Sequence, residues 1–498
     1  MEIDLGVNSV VKDFKPTVYK ERNISASTNP ALLAHGRYGT AEMIEIFGAE
    51  CTFQFSLDAQ AAAVKTMSEL YPEVVPSAHA DEIASKAKLG IIDPQRIREI
   101  EANVGHDVIA INTSLEEKVS KEAAADINKA RTSADTTETA KALQLKRALE
   151  VYIDSVENLR DIVLEKAIRW TAPHVDTTHL LDALPTLAGR PLMFYAEMLQ
   201  SDLDHLAYVY KYSVKGKWSD ATGNHHSATT LGIDGMKLQE KYCRRLEIGF
   251  MDASAQIPGR EFIADVVYSI VRTAATMASL SFYVRNGKGD DVDIFLDVSS
   301  KQRKGSSAMP HKDIKGGNPT VEEQVESFFK LALGELVTSV STIPFTYARD
   351  LSGSASDRII LEDLFKFGDH VARELARTVY FLGLNEARAK KRVNRSLGLV
   401  TSEQVMTYLT DHRRTRNPMP RNEAHELVAT LATRAYSEKK RFVEVILKSL
   451  EITSRLSEET LRRITDPEEF IGQTREIMEL VFDKYHGLKT LQPVAAIK

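Results

Sequence analysis

At 498 residues the chain is longer than one hydrophobic core usually grows, so two or three domains are expected. With 43% apolar and 27% charged residues and a formal charge of −6, it offers no electrostatic basis for a nucleic-acid partner, and no basic block marks a membrane surface. Two cysteines, Cys51 and Cys243, read as thiols of a reducing compartment, and the start MEIDLGVNSVV lacks the charged-then-apolar order of a signal peptide, so a cytoplasmic location is expected.

Residues 1–28 show no sustained period and read as an extended arm. Gly36-Arg37-Tyr38-Gly39 is a turn, and from Thr40 onward apolar residues at three- and four-residue spacing, punctuated by Gly48, predict helix. Small helices with short turns follow to about Arg131. The pattern then changes. Thr132-Ser133-Ala134-Asp135 opens a run without Pro or Gly to Trp170, with Leu145, Leu149, Tyr152, Val156, Leu159 and Val163 forming an apolar stripe. Comparable runs cover 193–212, 262–285, 321–342 and 356–382, whereas 176–190, 214–235 and 286–297 read as loops. No convincing alternation of strands is present. The fold class is therefore all-α: an elongated central bundle of five long helices, flanked by two smaller helical domains, with limits at 1–131, 132–383 and 384–498. The run 266–284 is nearly long enough to span a bilayer, but it contains Arg272 and five Ser or Thr residues among other amphipathic helices, so it reads as the centre of the bundle.

The stretch 301–319, KQRKGSSAMPHKDIKGGNP, stands out chemically. Met309-Pro310 stops a helix, and the loop so formed carries Ser306, Ser307, His311 and several ammonium groups. On the residues alone it is either a glycine-serine hinge or a catalytic loop. GSSAMPHK followed by Asn318-Pro319 resembles the signature loop of the fumarase/aspartase superfamily, lyases that eliminate an amine or alcohol to leave fumarate. Ala308 and His311 make it most similar to the adenylosuccinate lyase branch, and the resemblance runs from residue 37 to 430, including SLGLVTSEQVM and RNEAHELV.

Such an elimination must remove a weakly acidic proton beside a carboxylate, stabilise the carbanion, protonate the leaving nitrogen and hold both ends of the substrate. The resemblance implies that Ser306 is the base, an alkoxide favoured by the charge of Lys312. His179, in THLLDALPT, is then the proton donor, a residue type that titrates near neutrality. It further implies that Thr132 and Ser133 of TSAD grip a succinyl carboxylate at a helix start, where amides and dipole collect anions, although TSAD is also a plain N-cap. Lys312 and Asn318 are the other implied carboxylate ligands, His106 and Asp107 line the site, and Gln256 contacts the succinyl-purine. Arg37 and Tyr38, with Arg349, Ser354 and Arg358, match the elements that hold the nucleotide phosphate, for which the arginine fork is suited.

Four positions depart from the pattern: Leu181 replaces a glutamine, Ala355 a serine and Asn128 a histidine, and five residues, DIKGG, separate Lys312 from Asn318 where one is usual. His225-His226 lacks a third ligand at metal spacing, so no metal is expected, and the implied reaction uses no organic cofactor. The implied partners are a small-molecule succinyl-purine nucleotide and three further copies of the chain, in a homotetramer whose sites draw on three subunits. The expected activity is anti β-elimination of fumarate from adenylosuccinate, giving AMP, and from the related succinyl-aminoimidazole-carboxamide ribotide. A sister lyase acting on another N-substituted succinate is the nearest alternative, and a non-catalytic helical scaffold the more distant one.

Overall fold

The computed structural model describes residues 37–299, 308–415 and 417–491. The predicted arm and Ser306 lie outside the described residues. Five long helices form the bundle: α1 (Ser133–Arg169), α2 (Arg190–Tyr212), α3 (Glu261–Lys288), α4 (Thr320–Ser341) and α5 (Ser354–Tyr380). The 37 residues of α1 make it about 55 Å long at 1.5 Å per residue. Its predicted stripe, from Leu145 to Val163, is fully buried. Burial of that stripe, more than intrinsic propensity, keeps so long a helix intact.

Side-chain contacts fix the directions. Arg160 Nη1 donates to Gln200 Oε1 at 2.6 Å and Tyr210 Oη to Glu150 Oε1 at 2.9 Å, so α2 runs antiparallel to α1. Arg272 lies 3.1 Å from Asp202, and Ser213 donates to Asp265 at 3.1 Å, which turns α3 back along α2. Lys288–Glu322 (2.7 Å) and Arg285–Glu326 (3.1 Å) set α4 antiparallel to α3. Thr342 reaches Asp357 at 3.4 Å, while the Phe328 and Phe367 rings meet at 4.9 Å, so α5 rises again. Consequently α1, α3 and α5 start at one end of the bundle, called the lower end below, and finish at the upper end. Ser155 on Asp369 (2.5 Å) and Lys166 on the Tyr380 carbonyl (2.9 Å) confirm that α5 climbs level with α1.

Helix α3 is long and apolar enough to cross a membrane, yet 72% of its most apolar window is buried within the bundle, as its place between α2, α4 and α5 requires. Before the bundle, Gly48 divides the predicted helix: Thr40 caps Ala41–Ile46, and Ala49–Leu70 then runs for 22 residues, as long as α4. A second hydrophobic core lies under residues 405–464, and the helix Thr474–Tyr485 returns to pack Met478 and Phe482 into the main core.

Each of the three stretches read as loops holds a regular element: a short helix, His226–Thr230, lies within 214–235, and strand Phe295–Asp297 lies within 286–297. The stretch 176–190, read as a loop, holds an antiparallel hairpin of β1 (Pro173–Thr178) and β2 (Leu181–Leu187) at the upper end, closed by the two residues His179 and Leu180. Both have positive φ, 53° and 66°, the geometry of a tight hairpin turn that usually selects Asn or Gly. A second small sheet pairs β3 (Phe295–Asp297) with β4 (Leu382–Leu384).

Candidate active site

The sequence-predicted residues fall at three levels of the bundle. At the lower end, Thr132 is the N-cap of α1, and its amide donates to Asp135 Oδ2 at 2.8 Å. Ser133 Oγ lies 3.2 Å from His106 Nε2, so these two predicted site residues meet although 27 positions separate them. His106 Nδ1 is 3.3 Å from Asp107, whose carboxylate accepts from the Val108 amide at 2.7 Å. Before the first turn of α3, Gln256 accepts from Arg349 Nη1 at 3.0 Å, and its amide donates to the Ala348 carbonyl at 3.2 Å. Ser354 opens α5 at this same end, and Arg358, one turn on, is exposed.

Two buried charge assemblies hold the lower end together. Arg260 grips Glu138 with both terminal nitrogens, at 2.8 and 3.1 Å, and its Nε stands 3.4 Å from Asp357. Lys141 completes the group, 3.4 Å from Glu138 and 3.9 Å from Asp357. Burial opposes ionisation of Glu138, but Lys141 and Arg260 outweigh it and hold the carboxyl at about 2; Asp357, for which burial dominates, is pushed up. The assembly ties α1, the start of α3 and the first turn of α5 to one another, and so fixes the elements that carry Ser133, Gln256 and Ser354.

The second assembly was not legible from the sequence. Asp135 Oδ1 accepts from Lys217 Nζ and from the Ser219 amide (3.0 Å), and Lys217 also donates to the Asp220 carbonyl at 2.7 Å. Both side chains are wholly buried; burial lowers the Lys217 pKa, with Asp135 opposing the shift. Arg131, immediately before the TSAD element, lies over the rings of Trp218 and Tyr242 and donates to Gln60 Oε1 at 3.0 Å. Gln60 in turn donates to Asn112 (2.8 Å) and to Asn128 (3.3 Å). Asn128 is thus engaged in a buried amide network beneath the site. Partners 82 positions apart, such as Lys217 and Asp135, leave no local sequence signal.

Half-way up the bundle, Tyr38 stacks on Phe367 with centroids 4.8 Å apart and meets the His370 ring edge-on, and Thr40 donates to Asp369 at 2.5 Å. Arg37 is exposed there. Phe367 is thirteen residues beyond Ser354, about 20 Å along α5 at 1.5 Å per residue, so Tyr38 and the adjacent Arg37 sit well above the first turn of α5 in one chain.

At the upper end, His179 is exposed at the hairpin tip beside Leu180 and Leu181, which are 93% and 73% exposed. Lys312 Nζ donates to Asn318 Oδ1 at 2.9 Å. The longer spacing leaves Asn318 within hydrogen-bond reach of Lys312: Pro310–Lys315 form a 3-10 turn, Gly316 and Gly317 take positive φ, and the Gly317 amide closes on the Lys312 carbonyl at 3.0 Å. His179 and the Lys312–Asn318 pair therefore lie at the opposite end of a helix about 55 Å long from Thr132, Ser133 and His106.

A family model described as "Lyase" matches residues 36–330, and one described as "Adenylosuccinate lyase C-terminus" matches residues 398–481. The adenylosuccinate lyase of Synechocystis sp. is 30% identical over 444 residues, 89% of this chain and 98% of its own length. This chain belongs to the adenylosuccinate lyase family. The member from Methanocaldococcus jannaschii is 27% identical over 448 residues, covering 89% of this chain and 94% of its own. The all-α bundle has a solved counterpart in the fumarate lyase of Mesorhizobium sp. BNC1, with a TM-score of 0.75, 20% identity, and coverage of 90% of this chain and 98% of that one.

Proposed function

We propose that this protein is an adenylosuccinate lyase, cleaving adenylosuccinate to AMP and fumarate by anti β-elimination, and cleaving the succinyl-aminoimidazole-carboxamide ribotide in the same way. The observation that carries this reading is the match to enzymes of that name over 89% of this chain and 98% of the relative. In this reading Ser306 removes the proton, His179 protonates the leaving nitrogen, and Lys312 and Asn318 bind the succinyl carboxylate across their shared hydrogen bond. Preorganised donors of this kind stabilise the extra charge of the carbanion without reorganising during the reaction. Thr132 and Ser133 grip a succinyl carboxylate at the start of α1, His106 and Asp107 line the site, and Gln256 contacts the succinyl-purine. Arg37, Tyr38, Arg349, Ser354 and Arg358 hold the phosphate.

The site assembles from separate copies of the chain in a cytoplasmic homotetramer. The upper and lower levels stand about 55 Å apart along α1 in one copy, so a reacting site needs the upper end of one chain beside the lower end of another. The bundle surface supports this, because Tyr208, Phe282, Leu331, Val337, Val340 and Ile359, all large and apolar, are exposed on α2 to α5 of the single chain. Its domains divide at 1–131, 132–383 and 384–498, the central one carrying the five long helices.

The decisive assay follows absorbance on incubation with adenylosuccinate, with fumarate quantified independently. Stoichiometric AMP and fumarate are expected. An intact tetramer yielding neither product would overturn the reading in favour of another N-substituted succinate, the alternative that the exposed Leu181 favours, because it offers no hydrogen bond where the family carries glutamine.

A further inference from the structure

We infer that Arg392 and Arg395 are positioning residues for His179, acting through Asp182. Asp182 lies three residues beyond His179 on β2, and its two carboxylate oxygens are divided between two guanidiniums. Arg392 donates to Oδ1 through Nε at 3.0 Å and Nη2 at 2.9 Å; Arg395 donates to Oδ2 through Nε at 3.2 Å and Nη2 at 2.9 Å. Four charge-assisted hydrogen bonds fix both the place and the orientation of one carboxylate. Burial would raise the Asp182 pKa, but the bonds from Arg395 and Arg392 hold it below the ordinary carboxylate range.

The clamp is itself anchored. Arg392 and Arg395 share one face of the helix Glu386–Arg395, three positions apart. Asn385 caps that helix by accepting from the Arg388 amide at 3.1 Å, and its own amide donates to the Ile294 carbonyl at 2.9 Å. Arg388 donates to the carbonyls of Val292 (3.3 Å) and Asp291 (3.1 Å). Val393 packs with Val175 of β1 and Val400 beneath the hairpin. An unbroken line of contacts therefore runs from the upper end of the bundle, through this helix, to the strand that follows the His179 turn.

The turn requires such a line. His179 and Leu180 both occupy the left-handed region, Leu180 without a polar side chain to favour it, and the tip is otherwise exposed. Non-glycine residues persist in that conformation only where the surroundings over-determine it. The clamp supplies that determination three residues away.

The inference rests on the reading of His179 as proton donor, and the test separates the two. Full-length His179→Ala, Asp182→Ala, Asp182→Glu, Arg395→Ala and the double variant His179→Ala/Asp182→Ala are compared for kcat and KM with adenylosuccinate, the pH profile of kcat, and thermal unfolding. Asp182→Ala is expected to lower the melting temperature, because it leaves the Arg392 guanidinium, 15% exposed, unpaired, and to lose about 10- to 100-fold in kcat with KM little changed, in line with the effect of an ångström of misplacement. Asp182→Glu should recover most of it. Arg395, with a side chain 62% exposed, can be removed without threat to folding, and its loss should lower kcat in the same direction. The double variant should be no slower than His179→Ala alone. Full kcat in both Asp182→Ala and Arg395→Ala, with His179→Ala slowed by about 100- to 10,000-fold, would overturn the clamp and leave the proton donor standing. Multiplicative losses in the double variant would likewise overturn it, whereas a fully active His179→Ala would remove the donor itself.

Discussion

Lys312 donates to Asn318 across 2.9 Å although DIKGG stands between them. The contact survives because the extra residues wind into one 3-10 turn and two consecutive glycines reverse the chain. Gly316 is the vulnerable point: its φ is +85°, and a Cβ added there would stand only 2.3 Å from Asp297 Cβ. Gly316→Ala should therefore part Lys312 from Asn318, at a backbone cost of about 1–2 kcal/mol before the clash is relieved. We expect kcat/KM to fall at least about tenfold, the equivalent of about 1.4 kcal/mol. Steady-state kinetics beside a melting curve would show it, and unchanged kcat/KM would mean that the pair does not bind the substrate.

Lys217 and Asp135 should behave as a buried pair does. Lys217→Met leaves an uncompensated carboxylate under the start of α1 and should cost about 3–5 kcal/mol in denaturant unfolding. Adding Asp135→Leu to it should cost less than the two single losses together. Strict additivity would mean that the two side chains are not coupled.

His174, buried in β1, gives the hairpin a pH dependence. Burial, reinforced by Arg392, lowers its pKa to about 4, so the folded protein holds it neutral where the unfolded chain protonates it. Below pH 6.5 the unfolded state binds more protons, and stability falls as the pH drops from about 6.5 to about 4, by on the order of 3 kcal/mol for this group. Above pH 6.5 it contributes no slope. Melting temperatures measured across this window should fall less steeply for His174→Phe than for the native chain; parallel profiles would contradict the assignment.

The long helices were legible because burial repeats along them: a stripe from Leu145 to Val163 can be read from spacing alone. The hairpin was not, because its turn is His179-Leu180, without the Asn or Gly that normally marks one, and Pro185 within β2 argued for a loop. Motif residues such as Ser133 and His106 could be named from the sequence, but their 3.2 Å contact could not. The Asp182 clamp was invisible for a similar reason, since Arg392 lies 210 positions away and an arginine-rich helix usually reads as a solvated face.

The apolar bundle surface leads to a further expectation. Val337→Glu places a charge at a position 72% exposed in the single chain, where it costs the isolated fold little. In the proposed tetramer it should split the particle and abolish turnover while helical content is retained. Light scattering, circular dichroism and the lyase assay together would reveal this, and an active tetramer would exclude that face of α4 from the interface.

The claim that the site is shared between chains can be tested most directly by complementation. His179→Ala alters the upper end and Ser133→Ala the lower, about 55 Å apart along α1. Each variant alone should keep only residual turnover, and unfolding and refolding the two together should restore it, because some sites in mixed tetramers then receive both native residues. Mixed tetramers that form but remain as inactive as their parents would contradict a site shared between subunits.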